Sequence, residues 1–329
     1  MKTAWYDRQG AAREVLQLGE LPDPVAGPGE ALVALAASGV NPSDCNGRAG
    51  RFGRTMGFPR IVPHGDGAGV VLEVGPGVDR ALIGRRVWLH NAARGRAMGT
   101  AAERIAIDAR LLAELPEGCG FAEGASLGIP ALTAHVCLLR DGPIDGATVL
   151  VTGGAGAVGF YAVQLAKWAG ARVIATVSSP RKAEDARLAG ADLMLDYRRD
   201  DVAAAVLDFT GGRGVDRIVE VDLGANLATT LRVLADNAVV SMYSSVAVPE
   251  PSVPALALMF KAATVRFVQL GLAPLPVRQA AQRGVVDWLR SGTARHRLAA
   301  LLPLERIAEA HERIESGERL GTVVLTIGA

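Results

Sequence analysis

The chain has 329 residues, half of them hydrophobic, which is enough for two domains because single cores stop growing at about 250 to 300 residues. Its 35 Lys and Arg residues are balanced by 34 Asp and Glu residues, so it lacks the basic surplus that a nucleic-acid partner requires. Three widely spaced cysteines argue against a disulfide framework. No apolar run approaches the ~20 residues of a membrane helix, and the amino terminus lacks a signal-peptide core. We therefore expect a cytoplasmic protein without a membrane or nucleic-acid partner.

The first third of the chain predicts a compact β-rich domain. Short alternating segments are broken by proline and glycine, which preset the dihedral angles of turns. The predicted strands are Glu14 to Leu18, Ala31 to Ala37, Gly69 to Val74, Arg86 to His90 and Ala102 to Ile107. Around Glu123 the pattern changes to that of a helix, Gly124 to Leu139, interrupted near Pro130.

Beyond that helix, strands and helices alternate along the chain. The predicted strands are Thr148 to Val151, Arg172 to Val177, Leu193 to Leu195, Arg217 to Glu220 and Ala238 to Tyr243. The helices between them are Phe160 to Ala169, Arg181 to Leu188, Val202 to Thr210 and Ala225 to Leu234. Such alternation favours a parallel, doubly wound sheet.

The last part of the chain predicts a short αβ tail. After Pro254 a helix to Ala262 leads into a strand from Thr264 to Leu270. The tail then has helices Pro276 to Arg290 and Leu304 to Ser316 and a last strand from Thr322 to Ile327. A β-rich first part and a short tail around a dinucleotide fold suggest that the tail returns to complete the first domain. We place the three parts at residues 1–123, 124–267 and 268–329.

The first strand and the first helix of the alternating region are joined by a glycine-rich stretch. It reads Gly153-Gly154-Ala155-Gly156-Ala157-Val158-Gly159. Gly154, Gly156 and Gly159 fit G-x-G-x-x-G, in which glycines allow a tight turn, a close approach to a pyrophosphate and close packing of helix on strand. The helix amino end then faces an anion. We interpret the stretch as a dinucleotide site; the alternative is a turn that merely closes a parallel sheet.

Several motifs occur together in one order along the chain. They are Asn41-Pro42-Ser43-Asp44, His64-Gly65-Asp66-Gly67-Ala68-Gly69-Val70-Val71, the glycine stretch, Ala189-Gly190-Ala191-Asp192 with Asp196-Tyr197, and Leu320-Gly321-Thr322-Val323-Val324-Leu325. This ordered set resembles the medium-chain dehydrogenases/reductases and, within them, the zinc-independent quinone oxidoreductases. The resemblance covers essentially the whole chain. It implies an α/β protein in which a GroES-like β-rich catalytic domain is split around an inserted Rossmann domain, with a nicotinamide cofactor and a homodimer.

The same resemblance bears on metal binding. Zinc-dependent members carry a cysteine where Asn41 stands and a histidine where Gly65 stands, and His64 lies one position off that ligand register. No cysteine cluster follows Arg86 to suggest a structural zinc lobe. We therefore predict a chain without bound zinc.

The residues that follow the predicted strand Arg172 to Val177 indicate a preference for NADPH over NADH. NAD-specific folds place an acid there, which accepts the ribose hydroxyls and repels a 2′-phosphate. Here the strand runs into Ser178 and Ser179, which can donate to phosphate oxygens, and Arg181 and Lys182 supply positive charge. The alternative is that both cations are solvated residues opening a surface helix. By the resemblance, Lys182 and Tyr197 match the residues that hold this end of the cofactor.

Further cofactor and catalytic residues are implied by the resemblance. Asn41, whose amide can bond the nicotinamide ribose or a substrate oxygen, has an Asn-Pro turn as its alternative role. Thr133 matches a hydroxyl near the nicotinamide, and its alternative is a helix residue bonding to its own turn. Tyr243, Ser244 and Val268 are expected to contact the cofactor, with Ser244 standing where relatives often have glycine.

The substrate pocket is predicted to be lined by Phe52, Trp88, His90 and Asn91. The segment that contains the last three residues ends in the region where relatives meet their acceptor. Each residue has a structural alternative, because Trp88 also fits a core position and His90 with Asn91 also fits a polar loop. His135, in an apolar helix, is expected to be a core residue.

The leading functional hypothesis is NADPH-dependent, two-electron reduction of a quinone or of the C=C bond of an α,β-unsaturated carbonyl. In both reactions negative charge appears on a conjugated oxygen, so one site serves either. A zinc-dependent alcohol dehydrogenase-like enzyme is disfavoured by Asn41 and Gly65, and a non-catalytic NADPH-binding regulatory protein stays open. The apolar strand Thr264 to Leu270, as the last strand of the Rossmann sheet, predicts edge-to-edge pairing in a homodimer.

Overall fold

A computed structural model of the protein describes residues 1–317 and 320–328, which form two compact units. One unit contains residues 1–129 and the described residues from Leu289 onward; we call it the split unit because two chain segments build it. The other unit, Pro130–Trp288, is called the inserted unit. This arrangement agrees with the expectation that the tail returns to the first domain.

The first segment of the split unit is mostly β-structure. Its strands are β1 (Lys2–Trp5), β2 (Gln17–Glu20), β3 (Glu30–Val40), β4 (Asp66–Val74), β5 (Arg86–Leu89), β6 (Arg104–Asp108) and β7 (Leu112–Glu114). Its helices are α1 (Ala12–Val15), α2 (Pro42–Arg48) and α3 (Phe121–Gly124). The stretch Glu14 to Leu18 is therefore not a single strand, because α1 ends within it and extended backbone at Leu16 leads into β2.

The inserted unit alternates strands and helices as the sequence predicts. Its strands are β8 (Thr148–Val151), β9 (Arg172–Val177), β10 (Leu193–Asp196), β11 (Val215–Glu220), β12 (Leu234–Met242) and β13 (Thr264–Phe267). Its helices are α4 (Gly128–Leu139), α5 (Ala157–Trp168), α6 (Pro180–Leu188), α7 (Val202–Phe209), α8 (Leu223–Val233), α9 (Ala255–Phe260) and α10 (Leu275–Arg290). Pro130 does not interrupt α4, because it lies in the first turn, where a backbone N–H has no helical acceptor.

The tail contributes β14 (Leu298–Pro303), α11 (Ile307–Glu315) and β15 (Thr322–Thr326). The sequence does not predict β14, since its run of Leu and Ala lacks the β-branched residues typical of strands and has the composition of a helix. In the described part of the chain, none of the helices is both long and apolar enough to cross a bilayer.

The inserted unit contains a six-stranded sheet of order β10-β9-β8-β11-β12-β13. Every neighbouring pair is parallel, which confirms the predicted doubly wound sheet. The strand order reverses between β8 and β11. In such sheets ligands bind outside the carboxyl ends of the strands at the point of reversal.

The sheet of the split unit joins the two chain segments. Its order is β14-β15-β3-β4-β5-β7, and β6 also pairs with β3. The tail strand β15 runs antiparallel to β3, with Val323 opposite Val40. Ile107 from the first segment and Leu325 from the tail belong to the same buried core. The tail is thus required to close the apolar core of the split unit.

The unit boundaries differ from those that the sequence predicts. The two units divide after Ile129 and after Trp288, rather than after residues 123 and 267. Most of α10 belongs to the inserted unit, because the Trp288 ring meets Tyr161 edge-on with centroids 5.9 Å apart. A Cβ on Gly284 of α10 would lie 2.1 Å from His135 Nε2. Aromatic packing and this close helix approach hold α10 against the inserted unit.

Candidate functional site

The glycine stretch connects β8 to α5 at the point where the strand order reverses. Gly153 has a φ of 66°, a conformation that residues with a Cβ rarely adopt. A Cβ on Gly154 would lie 2.7 Å from Ala175 Cβ, and one on Gly159 would lie 2.2 Å from Gly153 O. Gly156 is the N-cap of α5. Conformation and close packing both require glycine here, and the first N–H groups of α5 have no helical acceptor.

Residues of the two strands on either side of β8 hold the glycine turn. Thr176 on β9 accepts Gly153 N–H at its Oγ1, 3.1 Å away, and Gly154 N–H at its carbonyl, 2.9 Å away. Glu220 at the end of β11 is fully buried and accepts the Thr152 hydroxyl proton at 2.9 Å. Burial raises the pKa of Glu220. Sequence reasoning misses Glu220, because nothing near the glycines points to a partner so far downstream.

The residues at the carboxyl end of β9 lie close together. Lys182 Nζ donates to Ser178 Oγ at 2.9 Å, so the ammonium group folds back toward the strand end. Ser179 caps α6, since its Oγ accepts the Lys182 N–H at 3.3 Å. Tyr197 follows β10, the strand beside β9, and is about half exposed. Arg181 is exposed. Two hydroxyls and an ammonium group therefore converge at one strand end.

The first acid after β9 is turned to another partner. Glu184 is exposed and accepts a hydrogen bond from Arg187 Nε at 2.8 Å. Arg187 lowers the pKa of Glu184, first by hydrogen bonding. The position that carries an acid in NAD-specific folds is occupied here by Ser178 and Ser179.

Tyr243, Ser244 and Val268 lie at the same edge of the inserted sheet. Tyr243 and Ser244 follow β12, and Val268 follows β13. The Tyr243 N–H donates to Glu220 O at 3.1 Å, and the Val268 N–H donates to Met242 O at 2.8 Å. Burial raises the pKa of the Tyr243 phenol. Their contact with a cofactor stays a prediction, but their place at the carboxyl ends of parallel strands is compatible with it.

Asn41 lies between β3 and α2 and is almost fully buried. Its N–H donates to the Asp44 carboxylate at 2.8 Å, which caps the start of α2. Its side-chain Nδ2 donates to Asp66 Oδ2 at 2.7 Å, and the same oxygen accepts Ile129 N–H at 2.7 Å. Asn41 is therefore more than a turn former, because a buried carboxyl orients its amide. We call these two residues the Asn41–Asp66 pair.

Asp66 is in an environment that opposes a negative charge. Burial raises its pKa well above the usual range, although the hydrogen bonds from Ile129 and Asn41 act in the opposite direction. Burial also raises the pKa of Asp44 to about 7. Asp66 Oδ1 has no hydrogen-bond partner among the described residues, and a Cβ on Gly128 would lie 2.2 Å from it. The environment of Asp66 therefore disfavours its charged form, and its Oδ2 acts as the acceptor of two hydrogen bonds.

His64 belongs to a chain of buried hydrogen bonds. The Thr100 hydroxyl donates to Asp66 O at 2.6 Å, and Ser38 Oγ lies 2.7 Å from Thr100 Oγ1. His64 Nδ1 lies 2.9 Å from Ser38 Oγ, and His64 Nε2 lies 2.9 Å from His311 Nε2. His64 keeps this position with a φ of 76°, a left-handed conformation that costs a residue with a Cβ about 1–2 kcal/mol.

Counting protons fixes the direction of this chain. Thr100 has one hydroxyl proton and uses it on a carbonyl, so Ser38 donates to Thr100 and His64 Nδ1–H donates to Ser38. Neutral His64 then accepts at Nε2 the proton of His311 Nε2–H. Burial lowers the pKa of His64 to about 3 and that of His311 well below its usual value, which agrees with two neutral rings. In these tautomers the lone pairs lie on His64 Nε2 and His311 Nδ1, and both residues are fully buried.

Known proteins resemble both units. Residues 27–117 match the alcohol dehydrogenase GroES-like domain and residues 157–290 match the zinc-binding dehydrogenase family. Human quinone oxidoreductase is 28% identical over 306 residues, covering 92% of this chain and 91% of that protein. The 2-methylene-furan-3-one reductase of Solanum lycopersicum is 37% identical over 177 residues, covering 52% and 46%. The Escherichia coli quinone oxidoreductase structure complexed with NADPH aligns with a TM-score of 0.84 at 26% identity, covering 99% and 100%.

The chain belongs to the quinone oxidoreductase group of the medium-chain dehydrogenase/reductase superfamily. The split unit is its GroES-like domain and the inserted unit is its Rossmann-like domain, which confirms the predicted fold class. The matched family is described as zinc-binding, whereas the positions that carry the first two zinc ligands in zinc-dependent members are Asn41 and Gly65 in this chain.

The structure separates the four pocket candidates of this quinone oxidoreductase-like chain. Trp88 on β5 is fully buried and its ring lies 6.4 Å from that of His90, which is also fully buried. Burial agrees with the core position that the sequence gives as the alternative for Trp88, and a role for Trp88 or His90 in a substrate pocket stays a prediction. Asn91 is largely buried and Phe52 is 68% exposed. A role for Asn91 and Phe52 stays a prediction.

Two residues of α4 have different places in the fold. Thr133 is 4% exposed and lies in the inserted unit, and its contact with the nicotinamide stays a prediction. His135 packs against Gly284 of α10, and burial lowers its pKa to about 4. A neutral, packed ring agrees with the expectation that His135 is a core residue.

Proposed function

We propose that this protein is an NADPH-dependent reductase that transfers hydride to a quinone or to the C=C bond of an α,β-unsaturated carbonyl, without a catalytic metal. The observation that carries the cofactor choice is the group at the end of β9. There Lys182 Nζ lies 2.9 Å from Ser178 Oγ, beside Ser179 and without an acid at the strand end. A cation with two hydroxyls binds a 2′-phosphate, whereas a carboxylate at that place would repel it.

The residues at the glycine turn fit the diphosphate of the same cofactor. The turn is packed so closely that a Cβ on Gly154 or Gly159 would meet protein atoms, and it opens onto the amino end of α5, a helix of 12 residues. Unpaired N–H groups and the helix dipole at such an end favour a phosphate. The Thr176 and Glu220 hydrogen bonds hold the turn in this form before a ligand binds. When bound, NADPH supplies the hydride.

The acceptor class is supported by the relatives and by the Asn41–Asp66 pair. Proteins named quinone oxidoreductase and 2-methylene-furan-3-one reductase are similar to this chain, and both names describe conjugated carbonyl acceptors. In the proposed reaction, the second N–H of Asn41 Nδ2 donates to a ligand oxygen while Asp66 holds the first. A fixed amide donor stabilises negative charge on an oxygen without a metal ion.

A steady-state panel tests the proposal directly. Quinones, enals and enones are supplied with NADPH and, separately, with NADH, and cofactor oxidation is followed. We expect turnover of at least one acceptor class with NADPH preferred. An absence of turnover with tight NADPH binding would favour the regulatory alternative, and alcohol oxidation that is lost to a chelator would favour the zinc-dependent alternative.

We also propose a homodimer formed through β13. Among the residues that the structure describes, this strand pairs with β12 alone and lies at the end of the sheet, and Phe267 on it is 70% exposed. Exposed apolar residues of α9 accompany it, namely Leu256, Met259 and Phe260. An unpaired apolar edge is satisfied by the same edge of a second copy. Light scattering should give a mass of twice 34.2 kDa. Phe267→Lys should reduce this mass to that of a monomer. The control, Leu301→Lys, changes an exposed apolar residue of another strand, β14, and should leave the mass unchanged.

A further inference from the structure

Three side chains of metal-binding type, none of them part of the Asn41–Asp66 pair, meet in the split unit. They are Cys119, Glu123 and His296, and one ligand atom from each lies within 4.8 Å of the other two. Cys119 Sγ is 3.8 Å from His296 Nε2. Cys119 precedes α3 and Glu123 lies in it, whereas His296 precedes β14 in the tail. Both chain segments of the split unit therefore contribute to the cluster.

The distance between sulfur and nitrogen fits a tetrahedral zinc ion. Zn–S bonds of about 2.3 Å and Zn–N bonds of about 2.0–2.1 Å, opened to the tetrahedral angle, separate the two ligand atoms by about 3.6 Å. The observed 3.8 Å differs from this by a few tenths of an ångström. A thiolate and a carboxylate together also balance the two charges of the ion, so the partly buried site would be neutral.

The surrounding backbone holds the ligands before any ion binds. Glu123 Oε2 accepts the Gly120 N–H at 2.7 Å in the capping arrangement of α3. Cys119 is buried. Arg86 donates to the carbonyl oxygens of Glu117 and Cys119, which orders the loop that carries the thiol. Ligands that are already oriented lose little entropy on binding a metal.

A Cys-His-Glu group also has the composition of a nucleophilic triad. A nucleophilic cysteine needs an accessible thiolate with a lowered pKa. Cys119 is only 6% exposed, so its thiol lacks the access that a nucleophile needs. A metal ion, in contrast, displaces the proton of a buried thiol.

We propose that Cys119, Glu123 and His296 bind one Zn²⁺, with water as the fourth ligand, and that the ion ties the α3 segment to the tail of the split unit. Sulfur, nitrogen and oxygen donors in one set are typical zinc ligands. The proposal replaces the prediction that the chain binds no zinc, which rested on the family's zinc positions at Asn41 and Gly65. It is independent of the proposed reaction, because none of the three residues is assigned to cofactor or acceptor.

The test uses the full-length chain, loaded with Zn²⁺ or Co²⁺ and then dialysed. Zinc per chain is measured by atomic emission, and the Co²⁺ form is examined for a thiolate-to-cobalt charge-transfer band and for intense tetrahedral visible bands. The variants are Cys119→Ser and His296→Asn. The matched control is Cys137→Ser, which changes a buried cysteine of α4 outside the cluster.

We expect about one zinc per wild-type chain and a melting temperature that rises with added Zn²⁺. Cys119→Ser should lose the charge-transfer band and bind at least about 100-fold more weakly, His296→Asn should keep the band at reduced affinity, and Cys137→Ser should match wild type. Circular dichroism checks that each variant folds, and if Cys119→Ser fails to fold, His296→Asn decides by affinity.

Two results would overturn the proposal. One is a wild-type chain that loses all zinc on dialysis and gives no charge-transfer band, and the other is a band or zinc content unchanged in Cys119→Ser and His296→Asn. NADPH oxidation by the chelator-stripped protein is assayed in parallel. If removal of the metal abolishes turnover, the proposal of metal-free catalysis is contradicted. The zinc assignment is still decided by the spectra and the metal content.

Discussion

The glycine turn of the inserted unit and the Asn41–Asp66 pair of the split unit are built from different kinds of sequence information. The turn consists of consecutive residues, and backbone geometry alone requires glycine at Gly153 and Gly159. The pair forms only because β3 and β4 are antiparallel and place Gly39 opposite Asp66, so that Asn41 reaches its carboxyl. A substitution in the turn is therefore expected to act by steric conflict, and one in the pair by leaving buried polar groups without partners.

The largest effect is expected from Asp66→Ala, which tests the second half of this comparison. The change leaves the Asn41 amide and the Ile129 N–H buried without an acceptor. At about 1–3 kcal/mol for each buried unpaired group, the free energy of unfolding should fall by about 2–6 kcal/mol. Urea denaturation measures it.

Asp66→Asn is the matched control. Burial raises the pKa of the Asp66 carboxyl well above its usual range, and an amide oxygen can accept the same two hydrogen bonds as Asp66 Oδ2. Asp66→Asn should therefore cost only about 1 kcal/mol. If Asp66→Asn destabilises the protein as much as Asp66→Ala, these two hydrogen bonds do not explain the role of Asp66 and the account of this pair is wrong.

Gly159→Ala tests the steric half. Its Cβ would lie 2.2 Å from Gly153 O, so α5 must shift away from β8 and displace the N–H groups that we propose bind the cofactor phosphate. A shift of about 1 Å at a binding site costs about 100-fold, and the Michaelis constant for NADPH should rise by that factor. Gly57→Ala, where a Cβ meets no atom within 4 Å, should leave it unchanged. An unchanged constant for Gly159→Ala would show that the cofactor does not depend on this turn.

Lys182→Ala sharpens the comparison further, because it removes a side chain next to the glycine turn and leaves the backbone of the turn unchanged. Only the contact with the 2′-phosphate should be lost. A charge-assisted hydrogen bond contributes about 1.5–3 kcal/mol, so the Michaelis constant for NADPH should rise about 10- to 100-fold and that for NADH should stay the same. The control is Lys167→Ala. Lys167 lies on α5 and is paired with Asp192. Equal effects on both cofactors, or a wild-type preference for NADH, would contradict the assignment.

The parts of the molecule that the sequence predicts are those set by neighbouring residues. Strand and helix alternation, the glycine turn and the Ser178–Lys182 group each depend on a short run of chain. The strand β14 escapes prediction because its Leu-Ala composition suits a helix and only pairing with β15 makes it a strand. The partner of Asn41 likewise depends on strands that meet only in the folded chain. The same holds for the Cys119 cluster, whose histidine comes from the tail.

The smallest expected effect is a change in the free energy of unfolding with pH. It is caused by two buried histidines that are far apart in the sequence. His64 and His311 are separated by 247 positions. In the unfolded chain both take up protons near pH 6.5, whereas burial lowers the pKa of His64 to about 3 and that of His311 well below 6.5. Between pH 6.5 and about 3 the unfolded chain therefore binds protons that the native chain does not. The free energy of unfolding should fall as the pH falls through this window, and the two histidines should contribute nothing to the slope above it.

Each histidine should contribute about 1.4 kcal/mol per pH unit to that slope. His311→Gln removes one of them, so the slope of the free energy of unfolding against pH should decrease by this amount between pH 6 and 4, measured by urea denaturation. The vertical offset between the two curves reports lost packing and lost hydrogen bonding with His64, whereas only the slope reports proton uptake. Arg48, which is buried and paired with Glu315 at 2.7 Å, adds a positive charge that further lowers the pKa of His311. Parallel curves for wild type and variant would mean that His311 takes up a proton in the native chain as readily as in the unfolded chain. That proton would sit on Nδ1, because the Nε2–H already donates to His64, and the account of His311 as a neutral buried ring would then be wrong.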